Sequence, residues 1–191
     1  MRELSMHILD LAQNSISAGA ARLEIEVTAC TPLFRDLSEA EVPKQADTLT
    51  ITIRDNGKGM SEEFAAKVKD PFVTTRTVRR VGLGIPMFTE AAQACDGDLK
   101  VESSPGKGTT VTAWFKLSHI DRAPLGDIAS TLVALIAANP ELSLRYVQRV
   151  DGNEFVLDTE DLKSELDGVP INEGPVLQWI GEYVRGNAAE I

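Results

Sequence analysis

The chain is poor in cysteine, in aromatic residues, in basic charge and in long apolar runs. It contains 2 cysteines in 191 residues, 5% aromatic residues, and 19 basic against 29 acidic residues. Cys30 and Cys95 are far apart and belong to no Cys-x-x-Cys or Cys/His group, which argues against a structural zinc site or a disulfide framework. The net charge of −10 argues against a general surface for nucleic acid or for an anionic membrane.

No apolar stretch approaches the roughly 18 residues that a membrane-spanning helix requires. The first residues lack the pattern of a signal peptide, because Glu3, His7 and Asp10 interrupt any apolar region. With 43% hydrophobic and 25% charged residues, the composition is that of an ordinary soluble globular protein. Together with the two isolated cysteines, these features predict a protein of the reducing cytoplasm with no membrane contact.

The acidic charge is concentrated in the last third of the chain. From Ile120 onward there are 13 acidic and 5 basic residues, a balance of −8 that leaves −2 for residues 1–119. Pro124, which disfavours helix in the residue before it, lies at the same place. We therefore predict a first domain over residues 1–119 and an acidic C-terminal α+β module over residues 120–191. The apolar helices and charge of this module suggest that it associates with a protein partner or with itself.

Residues 3–18 have the periodicity of an amphipathic helix. One stripe of this helix consists of Leu4, Ile8, Leu11 and Ser15. Asp10 and Asn14 are four residues apart, so they point the same way about one turn from each other. Such a pair is either the start of a hydrated magnesium site, since magnesium binds few protein oxygens, or two solvated polar residues. His7 of the same helix is either a phosphoacceptor or base, or a surface or half-buried histidine.

A strand-like run from Leu49 to Arg54 ends in Asp55-Asn56-Gly57-Lys58-Gly59, and Ser61 then caps a short helix. One interpretation is a nucleotide pocket in which Asp55 reads a base and the glycines let the backbone approach it. The other is an ordinary turn, because Asn-Gly is a common hairpin signal.

The stretch after this helix is rich in threonine and arginine and predicts a loop. It is followed by Gly82-Leu83-Gly84, which opens a helix running to Cys95. A glycine-rich helix start offers free amides that suit phosphate, whereas the alternative is a basic solvated loop before a flexible helix start. The strands 99–103 and 109–117 then form a hairpin around a glycine-rich turn.

Five short motifs follow one another in a specific order. They are Asp10-x-x-x-Asn14, Asp55-x-Gly57-x-Gly59, Phe72 with Thr74-Thr75-Arg76, Gly82-x-Gly84, and Gly106-x-Gly108-Thr109. In this order they resemble the GHKL superfamily of gyrase B, heat-shock chaperones, histidine kinases and MutL. The resemblance covers about residues 3–118 and is nearest to MutL around residues 13–20. Over residues 70–109 it is nearest to histidine kinases and anti-sigma-factor kinases. It implies the Bergerat fold, an α/β (α+β) two-layer sandwich with helices on one face of a mixed sheet.

The resemblance also implies roles for individual residues. Asn14 would bind the magnesium ion that bridges the ATP phosphates. Asp55 would accept a hydrogen bond from the adenine amino group, with support from Thr109 through water. Gly57 and Gly59 would leave room for the nucleotide. The lid, Thr74 to Val81, and the phosphate-binding turn would supply the remaining contacts: Phe72, Thr74, Thr75, Arg76, Gly82, Leu83 and Gly84.

The chain departs from the family pattern at the position of the general base. Where ATP-hydrolysing members have a glutamate, four residues before the asparagine, this chain has Asp10, whose side chain reaches less far toward an attacking water. Arg80 also stands where a glycine is common, which makes the lid stiffer and more basic. No dimerisation helices with a phosphoacceptor histidine precede the domain, so the usual autophosphorylation is not expected.

Residues 120–191 predict a helix over 124–139, a hairpin over 142–157, a short helix over 161–166 and a final helix over 173–185. The whole chain predicts a magnesium-dependent, ATP-binding regulatory phosphotransferase or slow ATPase. The alternative is an ATP-gated module that controls a partner without turnover.

Overall fold

The computed structural model describes residues 3–31, 47–68, 84–189 and 191. Its first elements are α1 (Leu4–Ser17), β1 (Arg22–Cys30), β2 (Thr48–Asp55), α2 (Glu62–Lys67), α3 (Gly84–Gln93), β3 (Asp98–Ser104) and β4 (Gly108–Lys116). They are followed by α4 (Ile128–Ala138), β5 (Ser143–Val150), β6 (Asn153–Asp158), α5 (Thr159–Glu165) and α6 (Gly174–Asn187). None of the helices within these ranges is long and apolar enough to cross a membrane.

The described strands form one mixed sheet of six strands, in the order β3-β4-β2-β1-β5-β6. β1 and β5 are parallel, and each other neighbouring pair is antiparallel. The parallel pair requires a long crossover, and the chain from β2 to α4 supplies it. The predicted α+β sandwich with a mixed sheet is confirmed.

The two faces of the sheet differ in chemistry because side chains alternate along each strand. The inner face of the two central strands is fully buried under the helices; it includes Leu23, Ile25, Val27, Leu49 and Ile51. The outer face instead carries charged pairs: Glu24 lies 3.5 Å from Arg54 and 3.6 Å from Arg145, and Glu26 contacts Arg149. The core therefore lies on the helical side of the sheet.

The sheet continues across the boundary predicted near residue 119. β5 pairs with β1 over eight residues, from Arg22↔Ser143 to Ala29↔Val150. The start of α1 is tied to the same segment, because the N–H groups of Leu4 and Ser5 donate to the carbonyls of Pro124 and Leu125, at 3.0 and 2.8 Å. Residues 120–191 thus share a sheet and a core with residues 1–119, and the division into two domains stays a prediction.

The helices differ from their predicted bounds at their ends. α1, α2 and α6 lie within two residues of their predicted bounds, and the Ser61 hydroxyl caps α2 by accepting from the Phe64 N–H at 3.3 Å. α4 begins at Ile128, four residues later than predicted. α5 begins at Thr159, two residues earlier than predicted, because the Asp158 carboxylate accepts from the Glu160 N–H at 2.9 Å. α3 is described only from Gly84, and it ends at Gln93 before the predicted Cys95. Residues 32–46, between β1 and β2, lie outside the described ranges.

Candidate nucleotide site

The carboxylate of Asp55, at the end of β2, is held by three segments of the chain. Its Oδ1 accepts the backbone N–H of Gly57 at 2.8 Å and that of Thr109 at 3.2 Å. Its Oδ2 accepts the hydroxyl of Ser15 at 2.6 Å. A carboxylate has about four acceptor positions, so Oδ2 keeps the capacity to accept a further donor. Asp55 is therefore an oriented acceptor of the kind that an exocyclic amino group recognises.

The loop after Asp55 is attached on both sides. The Asn56 Oδ1 accepts two consecutive N–H groups at the start of β1, at 2.8 and 2.9 Å. The Lys58 N–H donates to the carbonyl of Ala18 at 3.0 Å, and its own carbonyl accepts from the Gly106 N–H at 2.7 Å. The loop is thus positioned between the end of α1 and the β3–β4 turn.

The protein's own packing leaves little room for a side chain at Gly57 and none at Gly59. A Cβ on Gly57 would lie 3.1 Å from the carbonyl oxygen of Ala18 and 3.1 Å from Asp55 Oδ1. Gly59 has a φ of +64°, and a Cβ there would lie 2.0 Å from the carbonyl oxygen of Ser104. Their expected role in making room for a nucleotide stays a prediction, but the close backbone approach behind it is observed.

Asp10, Asn14 and Gly84 converge at the first residue of α3. A Cβ on Gly84 would lie 2.1 Å from Asp10 Oδ2 and 3.2 Å from Asn14 Nδ2. The two side chains thus share the side of α1 that faces α3, as their spacing predicts. The carboxylate of Asp10 lies at the positive end of the α3 dipole, where negative charge is stabilised.

This pair suits a hydrated magnesium ion by its donor chemistry. Magnesium usually takes one or two protein oxygens and completes its octahedron with water and phosphate. Within the described ranges no group of three or more His, Cys, Asp or Glu residues could hold a metal, so an all-protein cage is not offered there. The amide oxygen of Asn14 would then hold the ion, which would neutralise phosphate charge.

Thr109 contributes its backbone as well as its side chain. The N–H reaches Asp55 directly, whereas the hydroxyl lies 2.9 Å from Ser103 Oγ. The Ser103 hydroxyl in turn donates to the carbonyl of Gly108 at 2.9 Å and accepts from the Met60 N–H at 2.8 Å. These bonds join β3, β4 and the glycine loop into one unit.

Sequence reasoning did not assign two of these residues, Ser15 and Ser103. Ser15 had a usable signal, because a hydroxyl in an otherwise apolar helical stripe requires a buried partner. Nothing in the pattern around Ser103 distinguishes it from the other polar residues of β3.

Several predicted contact residues lie outside the part of the chain that the structure describes. They are Phe72, Thr74, Thr75, Arg76, Gly82 and Leu83, together with the rest of the predicted lid. Their roles stay predictions. Within the described residues, the predicted site is represented by Asp10, Asn14, Asp55, Gly57, Gly59, Gly84 and Thr109.

His7 belongs to the packing between α1 and α3. It is buried, and its ring stacks on Phe88 with centroids 4.9 Å apart and an interplanar angle of 19°. Its Nδ1 has no hydrogen-bond partner among the described residues, and burial lowers the pKa of His7 to about 4. A neutral, covered imidazole is a packing element rather than an exposed phosphoacceptor.

A shallow cavity of about 380 Å³ lies beside Asp55, at the turn of the β3–β4 hairpin. Its lining includes Arg22, Arg54, Glu102 and Lys107 but no residue of α1 or α3. It is therefore distinct from the cluster of Asp10, Asn14 and Gly84.

Several bacterial sensor kinases are similar to this chain. It is 33% identical over 121 residues to sensor protein kinase FleS of Pseudomonas aeruginosa, which is 63% of this chain and 26% of that protein. It is 32% identical over 109 residues to signal transduction histidine-protein kinase AtoS of Escherichia coli, an alignment that covers 57% of this chain and 16% of that protein. It is 36% identical over 66 residues to sporulation kinase C of Bacillus subtilis, an alignment that covers 35% of this chain and 15% of that protein.

One solved structure shows the same architecture. The chain superposes on the crystal structure of the N-terminal domain of a DNA repair protein with a TM-score of 0.52 and 15% identity. That alignment covers 83% of this chain and 53% of the other, and at this identity it shows the fold alone.

The family profile described as histidine kinase-, DNA gyrase B- and HSP90-like ATPase matches residues 2–119. The match covers α1 to β4, and so includes each described residue of the candidate site. The chain spans between 15% and 26% of the length of the three kinases above. The chain belongs to the histidine kinase-, DNA gyrase B- and HSP90-like ATPase family.

Proposed function

We propose that this chain is a magnesium-dependent ATP-binding protein of the histidine kinase-like type, acting as a regulatory phosphotransferase or slow ATPase. The observation that carries the proposal is the triple support of the Asp55 carboxylate by Ser15, Gly57 and Thr109. An adenine amino group is a neutral donor, and a preoriented anionic acceptor recognises it with a charge-assisted hydrogen bond. The family match supports ATP as the ligand.

In this proposal, a second group of residues binds the phosphates of ATP. Asn14 and Asp10 meet the start of α3, whose dipole and amides favour negative charge. In this proposal Asn14 holds magnesium, and Asp10 is the candidate general base. The lid residues and the Gly82–Gly84 turn would complete the contacts to phosphate.

A second candidate function is an ATP-gated switch that controls a partner without turnover. It is favoured by the position of Asp10, whose short carboxylate lies against Gly84 at the start of α3. A base held there must still reach within about 3.2 Å of the proton of an attacking water. Both candidates share a cytoplasmic location, no nucleic-acid ligand, and a protein partner or self-association through residues 120–191.

Nucleotide binding is tested by calorimetry with magnesium-ATP on the full chain. Asp55→Asn replaces an acceptor oxygen with an amide donor, so we expect the affinity for ATP to fall at least about tenfold. Asp121→Asn, an exposed change outside the site, serves as the matched control. Equal ATP affinity in the Asp55→Asn variant and the native chain would contradict the assignment of Asp55.

Turnover is tested separately with ATP labelled at the γ-phosphate. Release of labelled phosphate that disappears in Asp10→Asn, with ATP affinity retained, supports the ATPase with Asp10 as base. Faster release in Asp10→Glu would agree with the shorter reach of the native residue. ATP binding without phosphate release or transfer supports the switch.

A further inference from the structure

A row of four aromatic rings connects the core to the surface at one end of the sheet. Trp179 and Tyr183, one turn apart on α6, stack with centroids 5.0 Å apart and an interplanar angle of 8°. Tyr183 lies 5.6 Å from Phe155 of β6, which lies 6.3 Å from the buried Tyr146. Trp179 is 50% exposed and Tyr183 37% exposed, so the outer half of this aromatic row is open to solvent.

The aromatic row lies beside an edge of the sheet. β6 is the last strand in the sheet order, and within the described ranges it pairs only with β5. The other edge of β6 therefore presents backbone N–H and C=O groups that no described strand pairs. Such an edge is a template for an added strand, and Phe155 connects it directly to Tyr183.

The acidic charge of residues 120–191 favours a basic partner for this surface. Each basic side chain of residues 120–191 is already engaged within the chain: Arg122 donates to the carbonyls of Leu117 and Ala123. The other four contact carboxylates: Arg145, Arg149, Lys163 and Arg185. Exposed acids remain in excess, including Glu182 beside Tyr183 and Asp161 and Glu165 on α5. A segment with a net charge of −8 attracts a basic partner and repels a second copy of itself.

We propose that the β6 edge and the aromatic row form a docking surface for an extended, basic segment of another protein. The segment adds as a strand to β6, so that backbone hydrogen bonds supply affinity. An arginine or lysine of the segment lies on the exposed face of Trp179, where the ring attracts a cation. Neighbouring carboxylates, Glu182 among them, add attraction that falls with salt.

This surface is independent of the nucleotide site. The described site residues lie on α1, on β4, at the start of α3 and in or beside β2, whereas the docking surface lies on β6 and α6. Failure of the docking proposal leaves the ATP proposal standing, and the reverse also holds.

The test is fluorescence anisotropy with the full chain and a labelled peptide of alternating arginine and valine. We expect this peptide to bind, and the otherwise identical glutamate–valine peptide not to bind. Trp179→Ala should weaken binding about tenfold, because the cation loses its aromatic partner. Trp114→Ala removes the other tryptophan, which is also exposed but lies on the outer face of β4, and should leave the affinity unchanged.

Strand addition is separated from simple charge attraction by a second peptide. Methylation of alternate backbone nitrogens on one edge keeps the arginines but removes the donors that would pair with β6, so binding should be lost. Glu182→Lys should weaken binding of the unmethylated arginine–valine peptide, whereas Glu63→Lys, on the distant α2, should leave its binding unchanged. Lack of binding by the parent peptide overturns the proposal, as do equal losses in the two tryptophan variants or full binding of the methylated peptide. Self-association that depends on Trp179, measured by analytical ultracentrifugation, would also overturn it.

Discussion

At the scale of single residues, the candidate site depends on a few polar atoms at buried positions. Ser15 occupies an otherwise apolar stripe of α1, and its hydroxyl reaches the Asp55 carboxylate 40 positions along the chain. His7, two turns earlier, is buried with an unpartnered Nδ1 among the described residues. The first residue orients an acceptor, and the second makes folding sensitive to pH.

Replacing Ser15 with alanine removes one of the three supports of the Asp55 carboxylate. A hydrogen bond to a charged group contributes about 1.5 kcal/mol, so we expect the affinity for magnesium-ATP to fall about tenfold. Calorimetric titration measures this, and Ser17→Ala, on the exposed side of the same helix, is the matched control. Unchanged affinity in Ser15→Ala would show that Gly57 and Thr109 orient the carboxylate without it.

Stability should fall as the pH falls from 6.5 toward 4. The unfolded chain takes up a proton at His7 near pH 6.5, whereas burial keeps the folded side chain neutral down to a pKa of about 4. No stability is lost at this group above pH 6.5, and the loss of unfolding free energy reaches roughly 3 kcal/mol by pH 4.

Denaturant unfolding of His7→Phe at several pH values checks this dependence. Phenylalanine keeps the stacking on Phe88 and has no proton to bind, so the slope between pH 4 and 6.5 should become shallower. His119→Gln removes the other histidine without touching the contact between α1 and α3. An unchanged slope in His7→Phe would contradict the assignment.

At the scale of elements, close backbone approaches position the site. A Cβ on Gly108 would lie 1.9 Å from the carbonyl oxygen of Asp55, and its φ of +87° disfavours other residues. Gly106, in the same turn, has a φ of +75° but no atom within 4 Å of a Cβ position. A substitution at Gly106 therefore introduces backbone strain alone, whereas one at Gly108 introduces both backbone strain and a steric clash.

Gly108→Ala should be much more damaging than Gly106→Ala. The left-handed conformation alone costs about 1 kcal/mol, which is the loss of unfolding free energy expected for Gly106→Ala. In Gly108→Ala the contact with a backbone oxygen adds to this cost, so we expect a loss of about 3 kcal/mol or more. Urea denaturation measures both, and equal losses would show that the β4–β2 approach relaxes without cost.

At the scale of the whole molecule, one sheet joins the family domain to the acidic C-terminal segment. β5 lies between β1 and β6, and α4 packs on both α1 and α6. The cores of the two segments are continuous, because Leu132 and Leu144 belong to the same buried cluster as Leu23 and Ile8.

A fragment of residues 1–119 tests this continuity. Without β5 it exposes the edge of β1 and the apolar surface beneath α4, so we expect it to aggregate or to unfold at a clearly lower temperature than the full chain. Scanning calorimetry measures the change, and co-expression with residues 120–191 should restore solubility. A fragment with the full chain's melting temperature and ATP affinity would instead support an independent domain.

The local sequence pattern was sufficient to predict those features of this protein that depend on residues close together in the sequence. The spacing of Asp10 and Asn14 placed them on one side of α1 because a helix repeats every 3.6 residues. Alternation located the strands, and the order of the glycine motifs identified the family. Such features are set by backbone geometry within a few residues.

Tertiary structure alone decided which distant groups meet. The bond from Ser15 to Asp55, the burial of His7 against Phe88 and the insertion of β5 beside β1 join residues far apart in the chain. Periodicity shows that a face is buried but not what covers it, because the partner depends on sheet order and helix packing. The sequence by itself therefore determined the fold class and the site's motifs, and only the packed structure decided what orients them and which strand lies at the edge of the sheet.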